Sequence, residues 1–501
     1  MNKIQEILSA WGISFNPNEG QAKKAAERIK VCNSCEHKES TLGVNRCKVC
    51  GCALRAKIFS PVDGACPEGK WDSIDKKMKD DLMKSSEKET IFIQMASYRD
   101  PELGPTLDDL IENSKYPDRL HICVCFQYHP DDEFNKDVDK YRDDKRFTFI
   151  DVLYSETLGT CWARNQIQQK YKNETYTLQL DSHHRFAKDW DEEAIFMYKT
   201  LQSEGYEKPL LTAYIPSYDP DNDPAGRAQV PWRLTFDRFI PEGAVFFLPE
   251  ELPDKSRPQL GRFFSAHFAF TTGKFCLEVP HDPDYYFHGE EISLAVRAWT
   301  HGYDIFYPNK IIAWHEYTRK GRTKHWDDDT TWNTKNDKSH AKNRQLFGVD
   351  NEKPTPENKK TFKKYGLGKK RSLKEYEVFA GLRFSDRSVT KHVTDKQIPP
   401  GSPDHEYYQR FKHCIDQWGK SFNKRDYTFI AIILHDQMGN ELYRKDLQKN
   451  EIDAFFNSGE EWWKIWVEYN GPTPYKWIVW PHSESEGWVE YREGILENVQ
   501  S

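Results

Sequence analysis

From Tyr176 the chain alternates: Tyr176, Leu178 and Leu180 are apolar, while Thr177, Gln179 and Asp181 are polar. That period of two predicts a β-strand. Upstream, Ile91-Phe92-Ile93-Gln94-Met95-Ala96 is an apolar run of the buried-strand type. Leu120, Ile122, Val124 and Phe126 alternate as a second strand, and Phe147 to Val152 form a third. Between them Leu107, Leu110 and Ile111 recur at helical spacing, and Leu158 to Tyr171 reads as a helix. Downstream, Trp190, Ala194, Met197 and Leu201 mark another helix. Ile292, Val296 and Trp299 mark a third, closed by Gly302, and Ile311 to His315 is a last strand. Strands alternating with helices predict an α/β, Rossmann-like domain over 90–350, its sheet mostly parallel with helices on both faces.

The flanks follow other patterns. Residues 1–31 read as two short helices broken at Gly12 and Pro17, and 1–71 form one amino-terminal unit. A lysine-rich, charged linker is expected over 72–89 and a second over 351–374. Residues 216–260 are rich in Pro, Gly, Asp and Arg with no periodic element, which predicts an ordered loop facing a substrate. Residues 375–501 carry seven of the tryptophans, Trp418 to Trp488. There Val378–Phe384, Tyr427–Leu434 and Trp462–Tyr469 have strand character, with a helix near Tyr407–Trp418. The expectation is a separate β or α+β accessory domain whose tryptophans serve mainly as core.

With 72 basic and 79 acidic residues the net charge is −7, so the chain lacks the electrostatic footprint of a nucleic-acid binder. No apolar run approaches the ~20 residues that span a bilayer, and Met1–Leu8 has no signal-peptide block. A cytoplasmic, reducing setting is expected, in which the 11 cysteines are thiols and metal ligands rather than disulfides. Cys32-x-x-Cys35 and Cys47-x-x-Cys50 have the separation of a zinc ribbon, each knuckle offering two thiolates to one tetrahedral ion. Cys32, Cys35, Cys47 and Cys50 are the expected Zn²⁺ ligands, with Cys66 the first substitute. Such an ion would be structural, because so short a segment has little core of its own. A redox dithiol is the weaker alternative, since no βαβ pattern surrounds these cysteines.

Ligands of open α/β sheets bind beyond the carboxyl ends of the strands. Ser97–Asp100, Gln127 and Asp181–His183 all fall at such ends. Asp181 and His183, two apart on extended chain, leave from the same face. A carboxylate and an imidazole side by side can hold a divalent cation and leave positions open for substrate. His315, on the last strand, is a candidate third ligand. Neither a Gly-x-Gly-x-x-Gly nor a Gly-x-x-x-x-Gly-Lys-Ser/Thr motif is present, which removes dinucleotide and P-loop chemistry.

Five motifs, taken in order, resemble glycosyltransferase family 60, the cytoplasmic hydroxyproline-polypeptide N-acetylglucosaminyltransferases. They are Ser97-Tyr98-Arg99-Asp100-Pro101-Glu102, Gly159-x-x-Trp162-Ala163-Arg164, Leu178-Gln179-Leu180-Asp181-Ser182-His183-x-Arg185-Phe186, Gly289-Glu290-Glu291 and His315-x-Tyr317-x-Arg319. The resemblance covers residues 90–350 and implies a GT-A fold, a retaining mechanism, Mn²⁺ or Mg²⁺, a UDP-sugar donor and a protein acceptor. The amino-terminal cysteines add a similarity to small zinc elements of tailed-phage proteins, which implies a phage or bacterial member. Asp-Ser-His followed by a distant His is also similar to the polypeptide GalNAc-transferases, which implies Asp181, His183 and His315 as metal ligands. The resemblance further implies donor contacts from Ser97, Tyr98, Arg99, Asp100, Arg164, Ser182 and Arg319, with Lys320 and Arg322 beside the diphosphate. Glu290 and Glu291 would then bind the sugar or orient the acceptor hydroxyl, although acidic residues also suit a helix start. This chain has His184 where eukaryotic members have methionine, a departure that bears on donor fit rather than on the metal pair. One alternative keeps the enzyme and changes the acceptor to hydroxymethylated DNA bases, against which the acidic charge counts. Another is an inactive virion or sugar-binding protein, against which the complete ligand set counts.

Overall fold

The computed structural model describes residues 3–15, 17, 19–41, 43–60, 65–71, 79, 82–83, 89–318, 321–423 and 426–496. Most of the expected linker 72–89 lies outside them, as do Arg319 and Lys320.

The centre of the molecule is an eight-stranded mixed sheet. Its order is Gln259–Leu260, Asp304–Tyr307, Pro209–Thr212, Phe268–Thr272, Tyr176–Leu180, Ile91–Tyr98, Leu120–Tyr128, Phe147–Leu153. Tyr176–Leu180, Ile91–Tyr98, Leu120–Tyr128 and Phe147–Leu153 run parallel, as their alternation with helices predicts. Phe268–Thr272 enters antiparallel between Tyr176–Leu180 and Pro209–Thr212, and Gln259–Leu260 is antiparallel at the edge, so the sheet is mixed while six of its eight strands run the same way. Helices Leu103–Glu112 and Trp190–Ser203 pack Leu107, Leu110, Trp190 and Leu201 into the main core, and Thr160–Gln168 places Ala163 and Ile167 against the other face.

Residues 216–260 are more regular than expected. Trp232–Phe239 and Val245–Glu251 form an antiparallel hairpin. Its period of two is hidden because Arg233, Thr235 and Asp237 are buried alongside Leu234 and Phe236, so both faces are covered and polarity does not alternate with burial. The hairpin extends into the carboxyl-terminal third: Phe411–Trp418 lies beside Trp232–Phe239, and Trp462–Tyr469 completes a four-stranded sheet.

The helix expected near Tyr407–Trp418 is two strands, Tyr407–Gln409 and Phe411–Trp418. Phe411, Cys414, Ile415 and Trp418 have helical spacing, but Phe411–Trp418 pairs along its whole length with Trp462–Tyr469. Tertiary pairing overrides the local pattern there. Val378–Phe384 is mostly the end of a helix, Leu373–Ala380, started by a Ser372/Glu375 capping box and followed by the short strand Leu382–Arg383. Within the expected linker 351–374 stands the helix Pro356–Tyr365. Tyr376, Ala380, Leu382, Phe384, Val389 and Val393 pack into the main core, so the expected boundary at 375 falls inside continuous packing.

A second core, with Phe411, Ile430, Ile432, Trp463, Val467 and Val479, fills the space between the four-stranded sheet and a five-stranded one built on Tyr427–His435 and Lys476–Ser483. Trp463 is 2% exposed, whereas Trp418, Trp462, Trp466 and Trp488 are each over 40% exposed, so only part of the tryptophan set serves as core.

The amino-terminal unit has helices Lys3–Phe15 and Glu19–Asn33, the hairpin Lys38–Thr41 with Val44–Cys47, and a short helix Leu54–Lys57. Arg28 stacks 4.7 Å above the buried Trp71 ring and donates to the carbonyl of Ser60. Among the described residues no helix is long and apolar enough to cross a membrane.

Candidate functional site

Strand Tyr176–Leu180 is buried at every position and delivers Asp181 to the carboxyl edge of the sheet. The chain then turns into the short strand His184–Phe186, which pairs antiparallel with Ala313–His315 so that His315 lies opposite His184. That long-range pairing brings His315 to the Asp-x-His pair. Nε2 of His315 is 3.4 Å and Nε2 of His183 3.7 Å from Oδ2 of Asp181. One ligand atom from each of the three lies within 4.8 Å of the others, a span that one ion can fill.

The electrostatics suit that use. Burial drives the His315 imidazole well below its ordinary pKa, so it is neutral, the state in which an imidazole binds a metal. Burial alone would raise the Asp181 carboxyl, but the hydrogen bond from His315 and the charge of Arg164 hold it well below the carboxylate range. His315 Nδ1 is buried and has no protein partner. A carboxylate with two imidazoles is a donor set that first-row divalent transition ions accept, so the residues fit Mn²⁺ better than the oxygen-seeking Mg²⁺.

Arg164 ties this trio to the next acidic group. It comes from the helix Thr160–Gln168, whose entry at Gly159 has φ +114° and passes so close to Tyr286 that a Cβ would meet its carbonyl oxygen at 2.8 Å. Its guanidinium is almost fully buried and donates to Asp181 Oδ1 at 2.6 Å and to Glu290 Oε1 at 2.5 Å. Glu290 and Glu291 open the helix Glu290–Thr300, and the structure separates them. Burial would raise Glu290, yet the Arg164 charge and the bond from His281 bring it down to about 2. Glu291 accepts from Tyr214 Oη at 2.6 Å and from the Ala266 amide at 2.9 Å, but burial pushes it up to about 7.

At the end of Ile91–Tyr98 the polar residues are mostly engaged by protein. Ser97 is 1% exposed. Tyr98 donates to Asp328 at 2.7 Å. Arg99, at φ +44°, makes a two-pronged bond to Asp132 at 2.9 Å and another to Asp328. Asp100 accepts from Ser182 and His183, and these partners with Arg322 outweigh its burial and hold it below its ordinary range. Arg322 also pairs with Glu316 and lies against the His183 ring.

These groups surround a cavity of about 400 Å³. Tyr98, Asp100, Arg164, Asp181, Ser182, His183, Glu290, Glu291 and His315 line it, whereas Ser97 and Arg99 lie behind the wall, and Arg319 is outside the described residues. Sequence reasoning missed Tyr214, His267, Phe246 and Trp326 in the same wall. His267 stacks on His315 with ring centroids 4.2 Å apart and is kept neutral by burial. It precedes Phe268–Thr272, a strand whose apolar run, Phe268-Ala269-Phe270, was its one available signal.

A second cluster, Cys161, His281 and Glu290, is equally compact and fully buried. Its acidic oxygen is already taken by Arg164 and His281, and burial holds the Cys161 thiol well above its ordinary pKa, so it is a charge network and not a ligand set. Farther away, Cys32, Cys35, Cys47, Cys50 and Cys66 line one small cavity of about 30 Å³, while Cys52 turns its Sγ to the Cys50 carbonyl.

Residues 90–146 and 134–386, together more than half of the chain, match the family model described as Glycosyltransferase (GlcNAc). No curated protein sequence matches. Among solved structures, GalNAc-T7 with UDP, GalNAc and Mn²⁺ is similar at 12% identity, over 82% of this chain and 73% of that one, with a TM-score of 0.46. The mannosyltransferase PcManGT from Pyrobaculum calidifontis, with GDP-Man and Mn²⁺, is similar at 12% identity, over 58% and 74%, with a TM-score of 0.33. S. aureus TarS 1-349 with UDP-GlcNAc is similar at 14% identity, over 48% and 61%, with a TM-score of 0.32.

Proposed function

This chain belongs to the GlcNAc glycosyltransferase family, and we propose that it is a retaining, metal-dependent enzyme that moves GlcNAc from a UDP-sugar to a protein hydroxyl such as that of hydroxyproline. Its mixed α/β sheet, with the cavity beyond the carboxyl ends of the strands, is the GT-A arrangement. The proposal places it with family 60 as a phage or bacterial member. The observation that carries it is the meeting of Asp181, His183 and His315 at one point of the cavity wall, beside a buried arginine.

In this reading Asp181, His183 and His315 hold Mn²⁺ or Mg²⁺, which when bound stabilises the negative charge that the nucleoside diphosphate gains as the glycosidic bond breaks. Arg164 keeps the Asp181 carboxylate ionised and fixes its direction. Glu290, held ionised by the same arginine, accepts hydrogen bonds from sugar hydroxyls. Glu291, close to half-protonated at neutral pH, sits where it can bond the acceptor hydroxyl. Arg322 supplies positive charge near the diphosphate. Phe246, Phe287 and Trp326 wall off water at the mouth of the cavity. The amino-terminal cysteines hold a structural Zn²⁺, through Cys32, Cys35, Cys47 and Cys50 with Cys66 in the same cavity wall.

The test is mass spectrometry of hydroxyproline- and serine-containing peptides after incubation with UDP-GlcNAc and Mn²⁺. The expected result is a gain of one N-acetylhexosamine on a hydroxyl. Consumption of donor with every peptide unmodified would overturn the protein-acceptor reading.

A further inference from the structure

Asp100 is 4% exposed, and the bonds its carboxylate makes are to the protein itself. Oδ1 accepts from the Glu102 amide at 3.0 Å. Oδ2 accepts from Ser182 Oγ at 2.6 Å, from His183 Nδ1 at 2.7 Å and from Arg322 Nη1 at 3.3 Å. A carboxylate with its oxygens so engaged is poorly placed to hold a nucleoside, although its position after Ser-Tyr-Arg suggests that use.

Its effect falls on His183. A neutral imidazole carries one N–H, and a carboxylate can only accept. The proton of His183 therefore sits on Nδ1, facing Asp100. The lone pair is left on Nε2, which lies 3.7 Å from Asp181 Oδ2 and accepts from Arg322 Nη1 at 2.8 Å, a cation that a bound metal ion would displace. His315 has no partner at its Nδ1, and its Nε2 faces Asp181 Oδ2 at 3.4 Å, an oxygen of the proposed ligand set itself. Of these two imidazoles, His183 is the one held by a carboxylate outside the ligand trio.

The preceding residue supports the arrangement. Arg99 bends the chain at φ +44°, a region that non-glycine residues rarely visit, directly before Asp100, whose Oδ2 meets His183 Nδ1. Asp132 and Asp328 grip the Arg99 guanidinium from two directions and hold the bend in place.

We propose that Asp100 is the positioning residue of the metal centre: it fixes His183 as the Nδ1–H tautomer with Nε2 turned toward the ion. Arg99 acts as the anchor of that bend. The inference rests on the metal reading of Asp181, His183 and His315, and it gives Arg99-Asp100 a role other than donor binding. Carboxylate partners of metal-bound histidines commonly contribute about 10–100-fold to affinity.

Two measurements test it. In the first, ¹⁵N-histidine-labelled, metal-free protein is examined by long-range ¹H–¹⁵N correlation, with His183→Asn used to assign the His183 ring. The expected pattern is Nδ1–H in the wild type and a shift toward the Nε2–H form in Asp100→Asn. In the second, free Mn²⁺ is counted by electron paramagnetic resonance during titration. Asp100→Asn is expected to bind about 10–100-fold more weakly, with a cooperative melting transition retained. An Nε2–H tautomer in the wild type overturns the proposal, even if Asp100→Asn fails to fold. So does a folded Asp100→Asn that binds Mn²⁺ as tightly as the wild type. A wild type that binds no Mn²⁺ but shows the Nδ1–H tautomer sinks the metal reading and leaves the tautomer assignment standing.

Discussion

Replacing Arg164 by methionine would strip the cation that bridges Asp181 and Glu290 while keeping most of the side-chain volume. The larger cost falls on Glu290, whose side chain is 5% exposed, because Asp181 opens on the cavity at 26% and solvent can relieve it. Glu290 is brought from its ordinary 4.5 to about 2, and a shift of that size corresponds to roughly 3 kcal/mol. Removing one partner of a buried ion pair costs about 3–5 kcal/mol, which is the same range. The sign is set by linkage. Because the folded pKa is depressed, the wild type holds this stability above about pH 4.5 and loses it as pH falls toward 2. Without Arg164, burial raises the same carboxyl, so the variant regains stability on acidification as Glu290 takes up a proton. The variant should therefore melt well below the wild type at pH 7, with the gap narrowing at pH 4.5. Differential scanning calorimetry at the two pH values measures this directly. A loss under about 1 kcal/mol at pH 7, or an equal loss at both pH values, would refute the reasoning.

Three further outcomes are expected. Glu291 is raised to about 7, so it opposes folding as pH climbs from 4.5 through 7; Glu291→Gln should remove that decline, seen as a flatter plot of melting temperature against pH. Native mass spectrometry should find one Zn²⁺ per chain, lost in Cys35→Ser and kept in Cys52→Ser, whose sulfur bonds the Cys50 carbonyl and is not part of the cavity lining. Trp463→Ala, which empties the second core, should cost about 3–5 kcal/mol, whereas Trp466→Ala on the exposed face of the same strand should cost under about 1 kcal/mol, both read by denaturant unfolding of the full chain.

The parts of the fold that could be read from the sequence are those in which pattern and burial agree. In Ile91–Tyr98 and Tyr176–Leu180 the apolar residues Ile91, Ile93, Met95, Tyr176, Leu178 and Leu180 are all buried, and the end of the second strand puts Asp181 and His183 at the sheet edge. The hairpin Trp232–Glu251 was not legible, because Arg233, Thr235 and Asp237 are buried with salt-bridge and hydrogen-bond partners that a hydropathy pattern does not see. Tyr407–Trp418 was misleading: Phe411, Ile415 and Trp418 mimic a helix, and only the pairing of Trp418 with Trp462 and Phe411 with Tyr469 reveals a strand. At the cavity, His315 was a candidate from its strand but needed the family resemblance to become a ligand, since its approach depends on pairing with His184 across more than a hundred residues. Tyr214 and His267 come from segments next to short strands and carry no motif. The split between Glu290 and Glu291 was invisible in principle, because it arises from Arg164 reaching one carboxylate and leaving the other in a drier place.

The most direct test of the account is release of UDP from a panel of UDP-sugars, in Mn²⁺ and in EDTA, by the wild type and by Asp181→Ala. Metal-dependent turnover of UDP-GlcNAc by the wild type, abolished in Asp181→Ala with the melting transition retained, is the predicted result. Turnover that persists in EDTA, or that survives in Asp181→Ala, would contradict it, as would a folded wild type that neither hydrolyses nor binds any UDP-sugar in the presence of metal.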